Sequence, residues 1–194
     1  MDHNPPVLIL IDVQKGFFSP YWGSRNNPDA EKTIASLLKN WRAREWPIIH
    51  VQHCSTEKDS PLRPTEPGVA FMDEAMPLHG ERIIQKNVNS AFIGTNLHEL
   101  LQSIGATQLF FCGFTTDHCV STSVRMAKNF GYIPTIIADA TVAFDRFDHL
   151  GNHYKADVVH AVSLASLNGE FAQVIESDTL LNSSLNIENL IKGK

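Results

Sequence analysis

Three residues far apart in the chain, Asp12, Lys86 and Cys119, have the types that acyl transfer needs: a proton acceptor, a cation and a thiol nucleophile. Cys119 lies in "GFTTDHCVSTSVRMA" (113–127), where the apolar run "LFFC" gives way to a helical pattern. If Thr115 or Thr116 caps that helix, the thiol falls in its first turn. Free backbone N–H groups and the positive end of the helix dipole there favour a thiolate. A neighbouring Lys86 lowers the thiol pKa further, while Asp12 accepts and returns a proton. The same N–H groups can hold an oxyanion. Taken singly, each residue has a plainer reading: an aspartate closing a strand caps the next helix, a lysine is solvated, a cysteine among apolar residues is core. Cys112, inside "LFFCG", and Cys54 keep that core reading.

The case for the combination depends on topology. "VLILID" (7–12), "PIIHVQH" (47–53), "RIIQK" (82–86), "TQLFFCG" (107–113), "IPTIIADA" (133–140) and "EFAQVIES" (170–177) read as strands. Between them, residues 27–46, 94–105, 116–131 and 155–167 read as helices, the first with Ile34, Leu37, Leu38 and Trp41 on one stripe. This alternation predicts an α/β fold, a three-layer α/β/α sandwich around a mainly parallel sheet of about six strands. Right-handed crossovers put every strand's carboxyl end on one edge, the edge at which such folds bind ligands. Asp12 ends the first strand, Lys86 the third, and Cys119 follows the fourth, so all three meet there.

The whole chain suits such a protein. Its 194 residues, 43% apolar and 19% charged, fit one globular domain over 1–194. A net charge of −5 with 16 basic residues argues against nucleic acid or an anionic membrane as partner. No apolar run approaches the length of a membrane span. The start, "MDHNPPVLILIDVQ", lacks a basic leader and does not read as a signal peptide. Three cysteines without an export signal suggest reduced thiols and a cytoplasmic location.

The sequence resembles the isochorismatase-like cysteine hydrolases, the superfamily that includes nicotinamidases and N-carbamoylsarcosine amidases. The likeness rests on "LILIDVQKGFF" with Asp12 and Gln14, "KNVNSAFIGTNL" with Lys86, and "GFTTDHCVSTSVRMAKNFGY" with Cys119, in the family's order. The resemblance implies a catalytic triad of Asp12, Lys86 and Cys119. It also implies a cis peptide between Phe114 and Thr115, an oxyanion hole from the amides of Thr115 and Cys119, and hydrolysis of a small non-peptide amide or carbamoyl compound through a thioester. Candidates to line the substrate pocket are Gln14, Phe17, Trp22, His53, His118 and Tyr154. No cofactor is expected, and a homodimer or homotetramer is. The apolar helix "ADVVHAVSLASL", with Val158, Val159, Val162 and Leu164, offers a surface for self-association.

Nicotinamidases carry a metal on an Asp-x-His pair, and "HVQHCSTEKDSPL" has none, so no metal is expected. Strand alternation sends His50 and His53 to opposite faces. His149, His153 and Asp157 have helical spacing, but Gly151 interrupts any helix and an exposed polar loop is expected over 148–157. Isochorismatases proper cleave a vinyl ether without a cysteine nucleophile, so Cys119 favours C–N cleavage. Ether hydrolysis is the alternative enzymatic reading. A thiol sensor on the same fold is the non-enzymatic one, although Cys112 and Cys119 are too far apart for a Cys-x-x-Cys pair. "LILIDVQKG" lacks the glycine fingerprint of a dinucleotide site.

Overall fold

The chain's longest apolar runs become the centre of a parallel sheet. The computed structural model describes residues 5–181. The expected single unit over 1–194 and the reading of the first four residues extend outside them. In chain order the elements are β1 (Val7–Ile11), α1 (Ala30–Ala43), β2 (Ile48–His53), β3 (Arg82–Lys86), α2 (Leu97–Ser103) and β4 (Gln108–Phe114). Next come α3 (Ser121–Asn129), β5 (Ile133–Val142), β6 (Arg146–Phe147), β7 (His153–Tyr154), α4 (Ala156–Leu167), β8 (Gln173–Ile175) and α5 (Asp178–Leu181). Six strands form one sheet in the order β3-β2-β1-β4-β5-β8, every pair parallel.

All five residues of β1 are buried. Leu8 and Leu10 pack on one face with Ile34, Leu37, Leu38 and Trp41 of α1. Val7, Ile9 and Ile11 pack on the other with Leu97 and Leu101 of α2 and Val124 of α3. That is the two-sided burial expected of a parallel strand. Consecutive crossovers run outward in opposite directions from β1 and β4, so the sheet reverses between these two strands. The reversal opens a crevice beyond their carboxyl ends, which is where such sheets bind ligands.

Three details depart from expectation. The segment before α3 begins as a wide π-helical turn, Thr116–Val120, so Cys119 sits in that turn ahead of the regular helix. The expected loop over 148–157 contains a short antiparallel pairing of β6 with β7. Asp148 organises its turn by accepting from the N–H groups of Leu150 and Asn152, and Asp145 ties it to α4 through Ala156 N–H and His153 Nε2. The last strand is shortened to Gln173–Ile175.

Candidate active site

Asp12 immediately follows β1, with φ at +52°, a backbone region uncommon for a residue with a side chain. The turn swings its carboxylate back over the sheet edge, where its N–H still bonds Val51 O at 3.0 Å. Lys86 closes β3 in register with His53 of β2, so both side chains leave the sheet on the same face. The π-helical turn, whose His118 and Val120 N–H groups converge on Thr115 O, brings Cys119 in from the far side. The peptide bond between Phe114 and Thr115 is cis, at the position the resemblance indicated.

These elements bring the three expected residues into contact. Lys86 Nζ donates to Asp12 Oδ2 at 2.6 Å and to Cys119 Sγ at 3.3 Å. Both members of the ion pair are fully buried, with side chains 0% and 1% exposed. The other carboxylate oxygen, Asp12 Oδ1, is buried without a hydrogen-bond partner among the described residues. A buried carboxylate oxygen left unpaired is costly unless something approaches it.

The electrostatics correct one expectation. Burial pushes the Cys119 thiol up, and the Asp12 charge pushes it further, while Lys86 only offsets them. The thiol therefore rests protonated at neutral pH, and a nucleophilic sulfur requires a base beside it. Burial alone would lower Lys86, but the charge of Asp12 and the hydrogen bonds to Asp12 and Cys119 hold it above its ordinary value, firmly an ammonium. Replacing Lys86 with methionine removes the one opposing charge. We expect the thiol pKa to rise still further and iodoacetamide labelling of Cys119 at neutral pH to slow. An unmoved profile of labelling rate against pH would exclude this role for Lys86.

The pocket candidates separate. His53 stands beside Lys86, and His118, half exposed, lies next to Cys119 in the turn with Asp117 at 3.4 Å. Gln14 is corrected: it has no exposed surface, and its amide is used up on the backbone of His53 and Val69. Phe17 is core, stacked on Phe114 at 4.9 Å and close to Phe144. Trp22 packs against it and donates Nε1–H to Gly16 O. Tyr154 bonds Asp148 and lines a groove with Phe147, Val158 and Val162, whose lining includes none of Asp12, Lys86 and Cys119. One residue was missed. Asn89, exposed on the loop after β3, places Oδ1 3.8 Å from Cys119 Sγ; its only sequence signal was its place in "KNVNSAF", three residues after Lys86.

Among the described residues, one group of His, Cys and carboxylate ligand atoms is dense enough for a metal: Asp12, His53 and Cys119, within 4.8 Å of one another. Lys86 Nζ contacts all three, so a cation of the chain itself already occupies the centre. His50 is engaged elsewhere, bonded to Glu81 at 2.7 Å, and His153 is bonded to Asp145.

The isochorismatase domain model matches residues 6–179. The chain is 43% identical over 176 residues to the uncharacterized isochorismatase family protein YrdC of Bacillus subtilis, covering 91% of this chain and 94% of that one. It is 30% identical over 142 residues to a streptothricin hydrolase of Streptomyces noursei, covering 72% of this chain and 55% of the relative. An isochorismatase-family protein of known structure from Chromobacterium violaceum superposes with a TM-score of 0.89 at 44% identity, over 94% of both chains.

Proposed function

Because the chain belongs to the isochorismatase family of hydrolases, we propose that it is a cysteine amidohydrolase acting on a small non-peptide amide or carbamoyl compound. The observation that carries this reading is the buried Asp12–Lys86 pair against Cys119, with one carboxylate oxygen held by the ammonium and the other unpaired. The similarity to a streptothricin hydrolase agrees with hydrolysis of a small molecule.

In the proposed reaction Asp12 Oδ1 takes the thiol proton as Cys119 Sγ attacks the carbonyl carbon. The backbone amides of Thr115 and Cys119 hold the resulting oxyanion. The C–N bond then breaks as Asp12 returns its proton to the departing nitrogen, leaving a thioester. Water gives a proton to Asp12 and adds to the thioester carbon. Collapse releases the acid, and the proton passes from Asp12 to sulfur, restoring the thiol. Lys86 remains protonated throughout, neutralising the carboxylate and then the sulfur. Asn89 and His118, at the exposed side of the thiol, contact the part of the substrate that distinguishes one amide from another.

A hydrolysis screen of small amides, ureides and isochorismate tests this, with ammonia or amine and pyruvate read separately. Amine release that disappears in Cys119→Ala supports the amidase. Pyruvate release that survives Cys119→Ala would instead establish ether hydrolysis. Because Lys86 fills the position a metal would take, activity is expected to survive exhaustive chelation. Loss on chelation with recovery on one divalent ion would overturn that.

The proposal includes self-association. Val158, Val162 and Phe147 are 48%, 65% and 71% exposed around a groove of about 360 Å³ between α4 and the β6–β7 turn. So much apolar side chain at one place marks a contact surface. A second copy, in a homodimer or homotetramer, is the proposed occupant. Sedimentation at micromolar concentration is expected to show an oligomer that Val162→Glu dissociates; a wild-type monomer would refute it. Among the described residues no helix is long and apolar enough to cross a membrane, and a cytoplasmic location is part of the same proposal.

A further inference from the structure

The Lys86 ammonium has three protons, and three acceptors surround it. Two are the groups of the proposed reaction, Asp12 Oδ2 at 2.6 Å and Cys119 Sγ at 3.3 Å. The third is His53 Nδ1 at 2.9 Å, which has no part in that reaction. An ammonium has no lone pair, so this contact is a hydrogen bond only if Nδ1 is bare and the imidazole proton is on Nε2. Burial and the Lys86 charge both lower the His53 pKa, against the Asp12 charge, which agrees with a neutral ring.

A second set of bonds fixes the backbone from which this imidazole projects. Gln14 Nε2 donates to His53 O at 3.0 Å and to Val69 O at 2.8 Å, while Gln14 Oε1 accepts from His53 N–H at 2.7 Å. Gln14 is completely buried, so its amide serves the protein and is closed to substrate. Residue 53 is thus held at both its N–H and its C=O where β2 ends, across from its register partner Lys86.

We propose that His53 is a positioning residue: its Nδ1 takes the third proton of Lys86 and so holds the ammonium where it reaches Asp12 and Cys119 at once. The inference rests on the reading of the site given above. Lysine has a flexible four-carbon stem and a head that rotates freely. With two acceptors alone, the head retains freedom to leave either one; a third acceptor on a clamped backbone removes it. A neutral acceptor suits the position. A carboxylate at residue 53 would compete for the ammonium and push the thiol higher still.

Long-range 1H–15N correlation spectra of the full chain report each histidine tautomer and need no substrate. At neutral pH His53 is expected as the Nε2–H tautomer, and Lys86→Met is expected to release that preference. An Nδ1–H or doubly protonated His53, or a tautomer indifferent to Lys86→Met, overturns the proposal whatever the protein hydrolyses. On an amide substrate, His53→Leu is expected to lower kcat by roughly 10–100-fold, the worth of one hydrogen bond to a charged group, with KM little changed. His53→Asn, whose Oδ1 can accept from Lys86, should recover most of that loss. An unchanged kcat, a loss confined to KM, or a folded His53→Asn no better than His53→Leu overturns the positioning role. If the wild-type protein turns over no amide at all, the proposed function fails while the tautomer result still decides the contact.

Discussion

Replacing Asp12 with asparagine is expected to lower amide turnover by roughly 10²–10⁴-fold, the usual cost of losing an acid–base group. The same substitution should make Cys119 easier to alkylate. The two effects have opposite signs because the carboxylate acts on the thiol in two ways. Its charge, added to the effect of burial, raises the thiol pKa; its unpaired oxygen is the proposed acceptor of the thiol proton. Asparagine removes the charge, so the resting thiolate fraction rises, yet no group remains to carry the proton to the departing nitrogen. Iodoacetamide labelling against pH, run beside steady-state hydrolysis, separates the two. Turnover that stays normal would remove Asp12 from proton transfer. Labelling that slows in parallel with turnover would mean that the substitution disturbs the site as a whole.

A second large effect is expected three residues before the turn that carries Cys119. Gly113 has φ at +117°, and a Cβ built there would lie 2.0 Å from Ile11 O of the neighbouring strand. No flexible side chain can move aside, because the obstacle is backbone. Gly113 pairs with Ile11 on one side and Thr141 on the other, at a point where the β4–β5 register shifts. Gly113→Ala combines a conformation that side chains rarely adopt with an overlap at the sheet centre, and should destabilise the fold by about 3 kcal/mol or more. Urea unfolding followed by circular dichroism measures it. A midpoint equal to wild type would show that β1 and β4 can separate at no cost.

The framework was legible because its signals are continuous. "VLILI" and "LFFC" are buried on both faces, and a strand of that kind needs no tertiary information to be recognised. Once six strands are ordered in parallel, the positions of Asp12, Lys86 and Cys119 at their carboxyl ends follow from chain direction alone. What escaped depends on distance across the fold. Nothing near Gln14 shows that its amide will clasp the backbone of a residue 39 positions away, and it stood among the pocket candidates for that reason. The sign of the Cys119 shift was missed because a helix terminus and a lysine are visible in sequence, whereas depth of burial is not. The β6–β7 pairing escaped because its turn is held by the side chains of Asp145 and Asp148, with little apolar pattern to announce it.

The sheet order has a consequence for dissecting the molecule. Asp12, His53, Lys86 and Cys119 are each delivered by a different strand end, and no contiguous stretch of chain holds more than a fraction of the site. Residues 56–59, all exposed, lie between the second and third of these, and an exposed loop tip is where a chain best tolerates interruption. A cut there would leave the carboxylate and imidazole on one piece and the ammonium and thiol on the other. Neither piece alone would hold the whole triad, and the site would exist again only after the fragments had rebuilt the two seams between β2 and β3 and between β1 and β4. The protein is therefore suited to division into a complementing pair, in which recovered hydrolysis, the activity proposed above, reports that two halves have met.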